Sequence, residues 1–449
     1  MFLRMEGFQK PGLAPSLSVR MYNRGSDAQS PLQPQPNLAL WSLPLSALTR
    51  EKLAQAADLV RDSGAHVWLT FVRETGEGSD PALPFICETG LVWISALMVG
   101  RDGRKVAVVG NYDADPLKHS GDWDEVIPYV QGIRAPLLEV LESWIPEGET
   151  PRIAINFSED DDKADGITHG LFRLLTSHLA GTRFAGSLES AHPIVSRLRG
   201  IKTSEEVRRL RAAIAATDGI FSTVPGRLKL GLDERSLYDK IQADIDANRW
   251  GYGWSRSGNP IVNFGPDSMI GHGVPSSQVH LRPGYLVHID LGVIVEGYSS
   301  DIQRCWYVAE PGETALPADL EAGLAAVTGA IQAGADWLKP GALGHEVDAA
   351  ARAFLVNAGY PEYLHALGHQ VGRVAHDGGS LLGPRWERYG RLPDVPVEEG
   401  EVYTLELGVT LPGRGYLGLE EMVRVGPNGM EWLSTPQRKI PVLTVTETL

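Results

Sequence analysis

From Tyr285 to Val308 the chain reads Tyr-Leu-Val-His-Ile-Asp-Leu-Gly-Val-Ile-Val-Glu-Gly-Tyr-Ser-Ser-Asp-Ile-Gln-Arg-Cys-Trp-Tyr-Val. Rich in β-branched and aromatic residues and broken at Glu296-Gly297, this run predicts two strands folded back on each other. Such a hairpin carries Asp290 towards Asp301. Two carboxylates held close repel unless one is protonated or a cation lies between them, so a divalent metal is the natural third party. Taken singly, either aspartate also suits a strand end or a turn. The pair within one hairpin is the stronger constraint.

Downstream, His365-Ala-Leu-Gly-His-Gln-Val-Gly-Arg-Val-Ala-His376 holds three imidazoles framed by Gly368 and Gly372, which let a backbone turn or approach a ligand closely. Imidazole ligates zinc, cobalt or iron and titrates near neutrality, so one histidine can bind metal while its neighbours bind substrate or move protons. A surface loop is the plainer reading of such a segment. Val402-Tyr-Thr-Leu-Glu-Leu-Gly-Val409 and Gly418-Leu-Glu-Glu-Met-Val-Arg-Val425 read as strands with an acid among apolar residues. A buried carboxylate needs a partner charge or a metal, which makes Glu406 and Glu420 ligand candidates. Alternation alone leaves open whether Glu420 or Glu421 points inward.

With these residues assembled, the chain resembles the M24 metallopeptidases, the pita-bread family that includes methionine aminopeptidase, Xaa-Pro aminopeptidase and Xaa-Pro dipeptidase (prolidase). That family's metal-ligand pattern falls here on Asp290, Asp301, His369, Glu406 and Glu420. Its further histidines fall on His272, in Gly271-His-Gly-Val-Pro275, on His365 and on His376, and Arg199-Gly-Ile-Lys-Thr-Ser-Glu-Glu-Val207 is similar to its linker and first helix. The resemblance implies a curved antiparallel sheet covered by helices and two divalent ions, with Asp290 on one, Asp301 and Glu420 bridging, and His369 and Glu406 on the second. It also implies a homodimer and, in the first half, a smaller creatinase-type α/β domain.

Four carboxylates against two divalent cations make a formally neutral cluster, able to acidify a bridging water to hydroxide near neutral pH. Glu406 is the candidate to move a proton from that water to the leaving amine. His272, His365 and His376 are the candidates to steady the scissile carbonyl and its developing oxyanion. The expected activity is a binuclear aminopeptidase or dipeptidase acting on short peptides with proline after the scissile bond. Manganese is the first choice of metal, with cobalt or zinc as alternatives, because oxygen-rich ligation with one imidazole discriminates weakly. Alternatives are a non-peptide hydrolase or lyase on the same scaffold, or a non-catalytic peptide-binding member. One departure bears on substrate: the family arginine two before the bridging glutamate is Gly418 here, with Arg373 and Arg414 as possible substitutes. A Trp- and Arg-bearing stretch, Ser380–Gly390, is a second candidate for shaping specificity, or an ordinary surface loop.

Composition agrees with this picture. A length of 449 residues suits two or three domains, and 43% hydrophobic residues is ordinary for a globular protein. The expected division is a flexible leader over 1–37, an α/β domain over 38–197 and the pita-bread domain over 198–449. Helices are expected at Ser46–Ser63, Ala135–Trp144, Gly166–Ala180, Glu205–Ser222, Glu234–Asn248, Ala318–Leu338 and His345–Ala358. Further strands are expected at His66–Val72, Leu91–Val99 and Val106–Val109. Cys87 and Cys305 offer no disulfide framework, which fits a reducing, cytoplasmic setting. A net charge of −15 argues against nucleic acid or an anionic membrane as partner. No apolar run reaches the ~18 residues that span a bilayer. The match of Gly413-Arg-Gly-Tyr-Leu-Gly418 to a dinucleotide fingerprint leads into a strand and reads as a turn. Glu159–Asp162 reads as a solvated acidic turn, and Trp250 and Trp254 as pocket candidates.

Overall fold

The computed structural model describes residues 47–76, 80–271 and 273–445; the expected leader and His272 lie outside them. In the first half, β1 (Val67–Val72), β2 (Ser95–Gly100), β3 (Lys105–Gly110), β4 (Glu125–Tyr129), β5 (Ile153–Ile155) and β6 (Leu188–Ser190) form one sheet in the order β4-β3-β2-β1-β5-β6. β2 runs antiparallel to β1 and β3, and the outer pairings are parallel. The accompanying helices are α1 (Ala47–Ser63), α2 (Leu83–Ile86), α3 (Ala114–Ser120), α4 (Arg134–Trp144), α5 (His169–Leu179) and α6 (His192–Gly200). Alternation along β1 sorts its side chains: Trp68 and Val72 join Leu53 and Val60 of α1 and Ile194 and Leu198 of α6. Leu69 and Phe71 join Leu137 and Leu141 of α4 and Leu171 and Leu175 of α5. A sheet with helices on both faces results.

The second half is built by α7 (Ser204–Arg227), α8 (Glu234–Ala247), β7 (Gly251–Tyr252), β8 (Ile261–Phe264), β9 (Leu286–Leu291), β10 (Val293–Val295), β11 (Tyr298–Ser299) and β12 (Ile302–Val308), then α9 (Ala318–Trp337), α10 (Gly344–Asn357), β13 (Val402–Leu411), β14 (Gly415–Gly426), β15 (Gly429–Trp432) and β16 (Val442–Leu443). The main sheet follows the order β13-β14-β12-β9-β8, with β15 on β14 and β16 on β12. It is antiparallel apart from β16. Odd-numbered residues of β13, Tyr403 to Leu411, pack under Val327 and Ile331 of α9 and Val347, Ala351 and Leu355 of α10. Val287, Ile289 and Leu291 of β9 pack under Leu210 and Phe221 of α7 and Leu237 and Ile241 of α8. The opposite faces of these strands are left for His288, Asp290 and Glu406. Leu45–Leu449 forms one compact unit.

The hairpin turns at Glu296-Gly297 as expected, both residues having positive φ (50° and 79°). Gly292 interrupts β9 and β10 for a steric reason: a Cβ there would lie 2.5 Å from Ser300 O and 2.6 Å from Trp254. α7 opens with a capping box between Thr203 and Glu206 and runs past the expected Ser222 to Arg227, Pro225 entering only in its last turn. The strand expected from Leu91 starts at Ser95 instead. Leu91 N is taken by Thr75 Oγ1, and Val92 N and Trp93 N by Asp113 Oδ2, so side chains replace the ladder partners there.

Candidate metal centre

Strand register assembles the cluster. Glu406 of β13 and Glu420 of β14 are directly opposed, and Asp290 of β9 opposes Gln303 of β12, two residues after Asp301. The segment carrying His369 lies along β13: Thr404 N donates to His369 O at 2.9 Å and Glu406 N to Leu367 O at 2.7 Å. That approach requires Gly368, because a Cβ there would meet Thr404 O at 1.9 Å. Gly372 is required likewise, its Cβ position being 2.0 Å from Asp377 Oδ2. The glycine framing of the histidines therefore serves close packing, against the β13 backbone at Gly368 and against the Asp377 carboxylate at Gly372.

Three sets of side chains offer ligand atoms within 4.8 Å of one another: Asp290, Asp301 and Glu420; His369, Glu406 and Glu420; Asp301, His369 and His376. His369 Nε2 lies 3.7 Å from Asp301, 3.6 Å from Glu406 and 4.0 Å from Glu420. Burial first, then the charges of the neighbouring carboxylates, pushes Asp290, Asp301 and Glu420 well above the usual carboxylate range. Burial, seconded by His376, lowers His369 to about 3, which keeps it neutral and a competent ligand. Asp290 Oδ1 is buried without any hydrogen-bond partner. Among the described residues, no Lys or Arg pairs with Asp290, Asp301 or Glu420. These buried, uncompensated oxygens, with one neutral imidazole, fit hard divalent cations.

The neighbouring Glu421 gives the contrast. It is as buried as Glu420 but faces the other way, taking both Arg304 guanidinium nitrogens at 3.0 Å, Ser434 Oγ at 2.6 Å and Gln437 N at 2.8 Å. The question alternation left open is answered: Glu420 points into the cluster.

Several contributors escaped the sequence reading. Gln303 Nε2 donates to Glu406 at 3.0 Å and Glu420 at 3.2 Å, while its Oε1 meets His288 Nε2 at 2.9 Å. His288 Nδ1 in turn lies 3.0 Å from Asn263 Oδ1; burial lowers its pKa to about 4, so it stays neutral and donates from one ring nitrogen only. Both residues sit two positions from an aspartate on a strand, a signal alternation does carry. His376 stacks edge-on to His369 with centroids 4.3 Å apart. His365 is half-buried, with Nδ1 2.7 Å from Ala366 O.

Two cavities meet at the cluster. One of about 520 Å³ is lined by Trp254, Val274, Lys163 and Ala375; the other, of about 870 Å³, by His288, His365, Tyr389 and Tyr416. Both reach Asp290, His369, His376 and Glu406. Trp254 is thus a pocket residue, whereas Trp250 packs against the core under α7 and α8. The Ser380–Gly390 stretch lines the larger cavity through Leu381, Arg388 and Tyr389. Neither expected substitute for the missing arginine reaches either cavity: Arg373 lies over the Phe85 and Tyr298 rings, and Arg414 bonds Asp319 and Tyr307. The acidic turn is not simply solvated. Asp161 is buried, accepts from Gly379 N at 2.9 Å and from Ser196 at 3.0 Å, and the turn forms part of the larger cavity's wall.

Behind His376 lies a second charged cluster. Asp377 accepts from the Arg199 guanidinium and from Lys202 Nζ at 3.0 Å, and nearby Lys52 pairs with Glu206 at 2.9 Å. All five side chains are buried.

A curved antiparallel sheet holding buried acids and a histidine around a shared centre is the arrangement of a metal-dependent enzyme. The chain matches the profile of metallopeptidase family M24 over residues 208–427. It is 31% identical over 341 residues to an uncharacterized peptidase of Staphylococcus aureus (strain bovine RF122 / ET3-1), covering 76% of this chain and 87% of that protein. It is 26% identical over 287 residues to a Xaa-Pro dipeptidase of Lactobacillus helveticus, covering 63% of this chain and 72% of that protein. Among solved structures, dipeptidase PepE from Mycobacterium ulcerans is similar with a TM-score of 0.67 at 25% identity, over 89% of this chain and 99% of that one. A Xaa-Pro dipeptidase from Bacillus anthracis is similar in fold, with a TM-score of 0.65 at 21% identity, over 88% of this chain and 100% of that one. The chain belongs to metallopeptidase family M24. Among the described residues, no helix is long and apolar enough to cross a membrane.

Proposed function

We propose that this peptidase hydrolyses short peptides at Xaa-Pro bonds, using two divalent metals, manganese by preference over cobalt or zinc. The observation that supports the reading is the overlap of the three ligand sets, in which Asp301, His369 and Glu420 each belong to two, so that one continuous cluster has donors enough for two adjacent ions. Asp290, Asp301 and Glu420 would hold one ion; Asp301, His369, Glu406 and Glu420 would hold the other. When bound, such ions acidify a shared water and polarise the scissile carbonyl. The chain's own residues do the rest. Glu406, held by Gln303, accepts a proton and returns it to the leaving amine. His365 and His376 line the larger cavity, where they donate to the carbonyl oxygen as charge develops on it. His272 is proposed for the same role on the resemblance alone.

Three further expectations belong to this reading: a division near residue 198 between the two sheets, a homodimer, and a cytoplasmic location, the last supported by two buried, free cysteines. The test is metal content per chain alongside hydrolysis of an Xaa-Pro dipeptide and an Xaa-Pro-Xaa tripeptide with added manganese. About two ions with cleavage is the expected result; metal-loaded protein that cleaves neither sinks the substrate assignment. His376→Ala should keep its metals and lose turnover by roughly a hundredfold. Metal content falling with that substitution would make His376 a ligand instead.

A further inference from the structure

The β13–β14 hairpin places three cross-strand pairs in succession: Glu406 opposite Glu420, Gly408 opposite Gly418, and Thr410 opposite Tyr416. Residues two apart on a strand share a face, so a pair of glycines adjoins the two glutamates, and Tyr416 follows on that same face. Neither glycine has a positive φ, so backbone conformation does not require them. Space does. A Cβ at 408 would lie 2.4 Å from Tyr416 Cζ and 2.5 Å from its hydroxyl, and a Cβ at 418 would lie 2.4 Å from Tyr416 Cε1. The phenol ring therefore lies flat in a slot that the two glycines create, immediately beside Glu406 and Glu420. Edge-to-face packing on His288, at 5.0 Å and 89°, joins the ring to the His288–Gln303–Glu406 chain of hydrogen bonds. The tyrosine hydroxyl has no hydrogen-bond partner among the described residues, and its ring lines the larger cavity.

The charges around this wall are one-sided. Among the described residues, the basic side chains that line the two cavities are Lys163 and Arg388. Lys163 is paired with Asp162, and Arg388 is spent on Leu364 O and Tyr389 Oη in an exposed position. The larger cavity is lined instead by the acids of the 159–162 turn and by Glu387.

We infer that Tyr416 is a specificity-determining residue: it forms the wall on which the leaving portion of the substrate lies, and it selects a peptide or amide carbonyl there over a free carboxylate. This rests on the Xaa-Pro reading above. Glu406 returns its proton to the leaving nitrogen, so that nitrogen sits against Glu406, and the wall continuing from Glu406 is the glycine pair covered by Tyr416. A ring such as proline's packs on the phenol face, and a following carbonyl accepts from the free hydroxyl. A terminal carboxylate in the same place gives up its hydration with no free Lys or Arg beside it among the described residues, the bound ions being already matched by the four carboxylates, and with acids lining the same cavity. Tripeptides and C-terminally amidated dipeptides are thus the preferred class.

The test compares kcat/KM of the manganese-loaded 449-residue chain for one Xaa-Pro dipeptide, its C-terminal amide and the matching Xaa-Pro-Xaa tripeptide. The amide and the tripeptide should exceed the dipeptide by about tenfold or more. Tyr416→Phe keeps the ring and should shrink that preference by about fivefold, through KM for the amide. Tyr416→Arg supplies the missing cation and should turn the preference towards the dipeptide. Cleavage of all three at equal efficiency, or a preference unchanged in the Phe variant, overturns the inference while leaving the Xaa-Pro reading intact. Protein that holds its metals but cleaves none of the three overturns both.

Discussion

Two buried charge clusters share the segment from His369 to Asp377, and they are built on opposite terms. Behind the segment, Asp377 is met by Arg199 and Lys202, and Glu206 by Lys52, Tyr298 Oη at 2.8 Å and Thr203 N at 2.8 Å. In front of it, Asp290, Asp301 and Glu420 face one another and a neutral imidazole, and one aspartate oxygen is left without a partner. Buried charge that is matched by the chain holds the chain together. Buried charge that the chain leaves unmatched marks where something else must bind.

Removing the unmatched side gives the largest effect. Asp301→Asn or Glu420→Gln should lose metal and lower kcat/KM together, by roughly a thousandfold or more; full metal occupancy in either variant would break the comparison. Next comes a reversal of sign in stability, measured by urea unfolding in the presence of a chelator. Asp377→Asn strands Arg199 and Lys202 in the interior and should cost about 3–5 kcal/mol. Asp290→Asn relieves an uncompensated charge and should stabilise the metal-free protein by about 1–2 kcal/mol. Destabilisation by both would place the two clusters on the same footing. Gln303→Leu should lower kcat or metal affinity by about ten- to a hundredfold, because it frees Glu406 and Glu420 from their shared donor. An unchanged variant would remove Gln303 from the site's support.

The smallest effect is in pH. Asp290, Asp301 and Glu420 hold protons in the folded state that the unfolded chain releases, so their pKa values are raised on folding. Their contribution is fullest below the unfolded carboxylate range, near pH ~4, and is lost as pH rises through that range towards the raised values. Asp80, raised to about 6, and Glu401, raised to about 7, act with the same sign whether or not metal is present. His288, depressed to about 4, acts oppositely: its contribution is present above the unfolded histidine value and lost as pH falls towards about 4. The difference between metal-loaded and metal-free protein isolates the cluster. Its gap in Tm should widen by roughly 5 °C between pH 5 and pH 8, and a constant gap would mean the carboxylates are not the groups that metal relieves.

Much of the candidate centre is legible because its acids are embedded in apolar strands, where alternation and the cost of burial both speak. Asp290, Asp301, Glu406 and Glu420 come together as that logic suggests, whereas His369 was singled out among three histidines only by the family resemblance. Glu420 could be told from Glu421 only by register, through the Arg304 pairing on the far face. Gln303 and His288 carry no charge to draw notice, and Tyr416 gains its meaning only beside the facing pair Gly408 and Gly418, which the hairpin register brings under its ring. In the first half, the three-residue strands Ile153–Ile155 and Leu188–Ser190 were missed, being too short for a period to register. The acidic turn is solvated at Glu159 and Asp162 but not at Asp161, whose partner, Gly379, lies 218 positions away and out of reach of local pattern.

That contact has a consequence for how such an enzyme diversifies. The turn at 159–163 borders both cavities through Lys163 and the acids before it, yet belongs to none of the strands that carry the carboxylates. Recharging its exposed acids would alter the mouth of the cleft, whereas changing its length would pull on Asp161 and, through Gly379, on the segment that carries His376. A change in the first half of the chain can thus reach the cleft through the Asp161–Gly379 hydrogen bond, without touching a strand that carries the carboxylates.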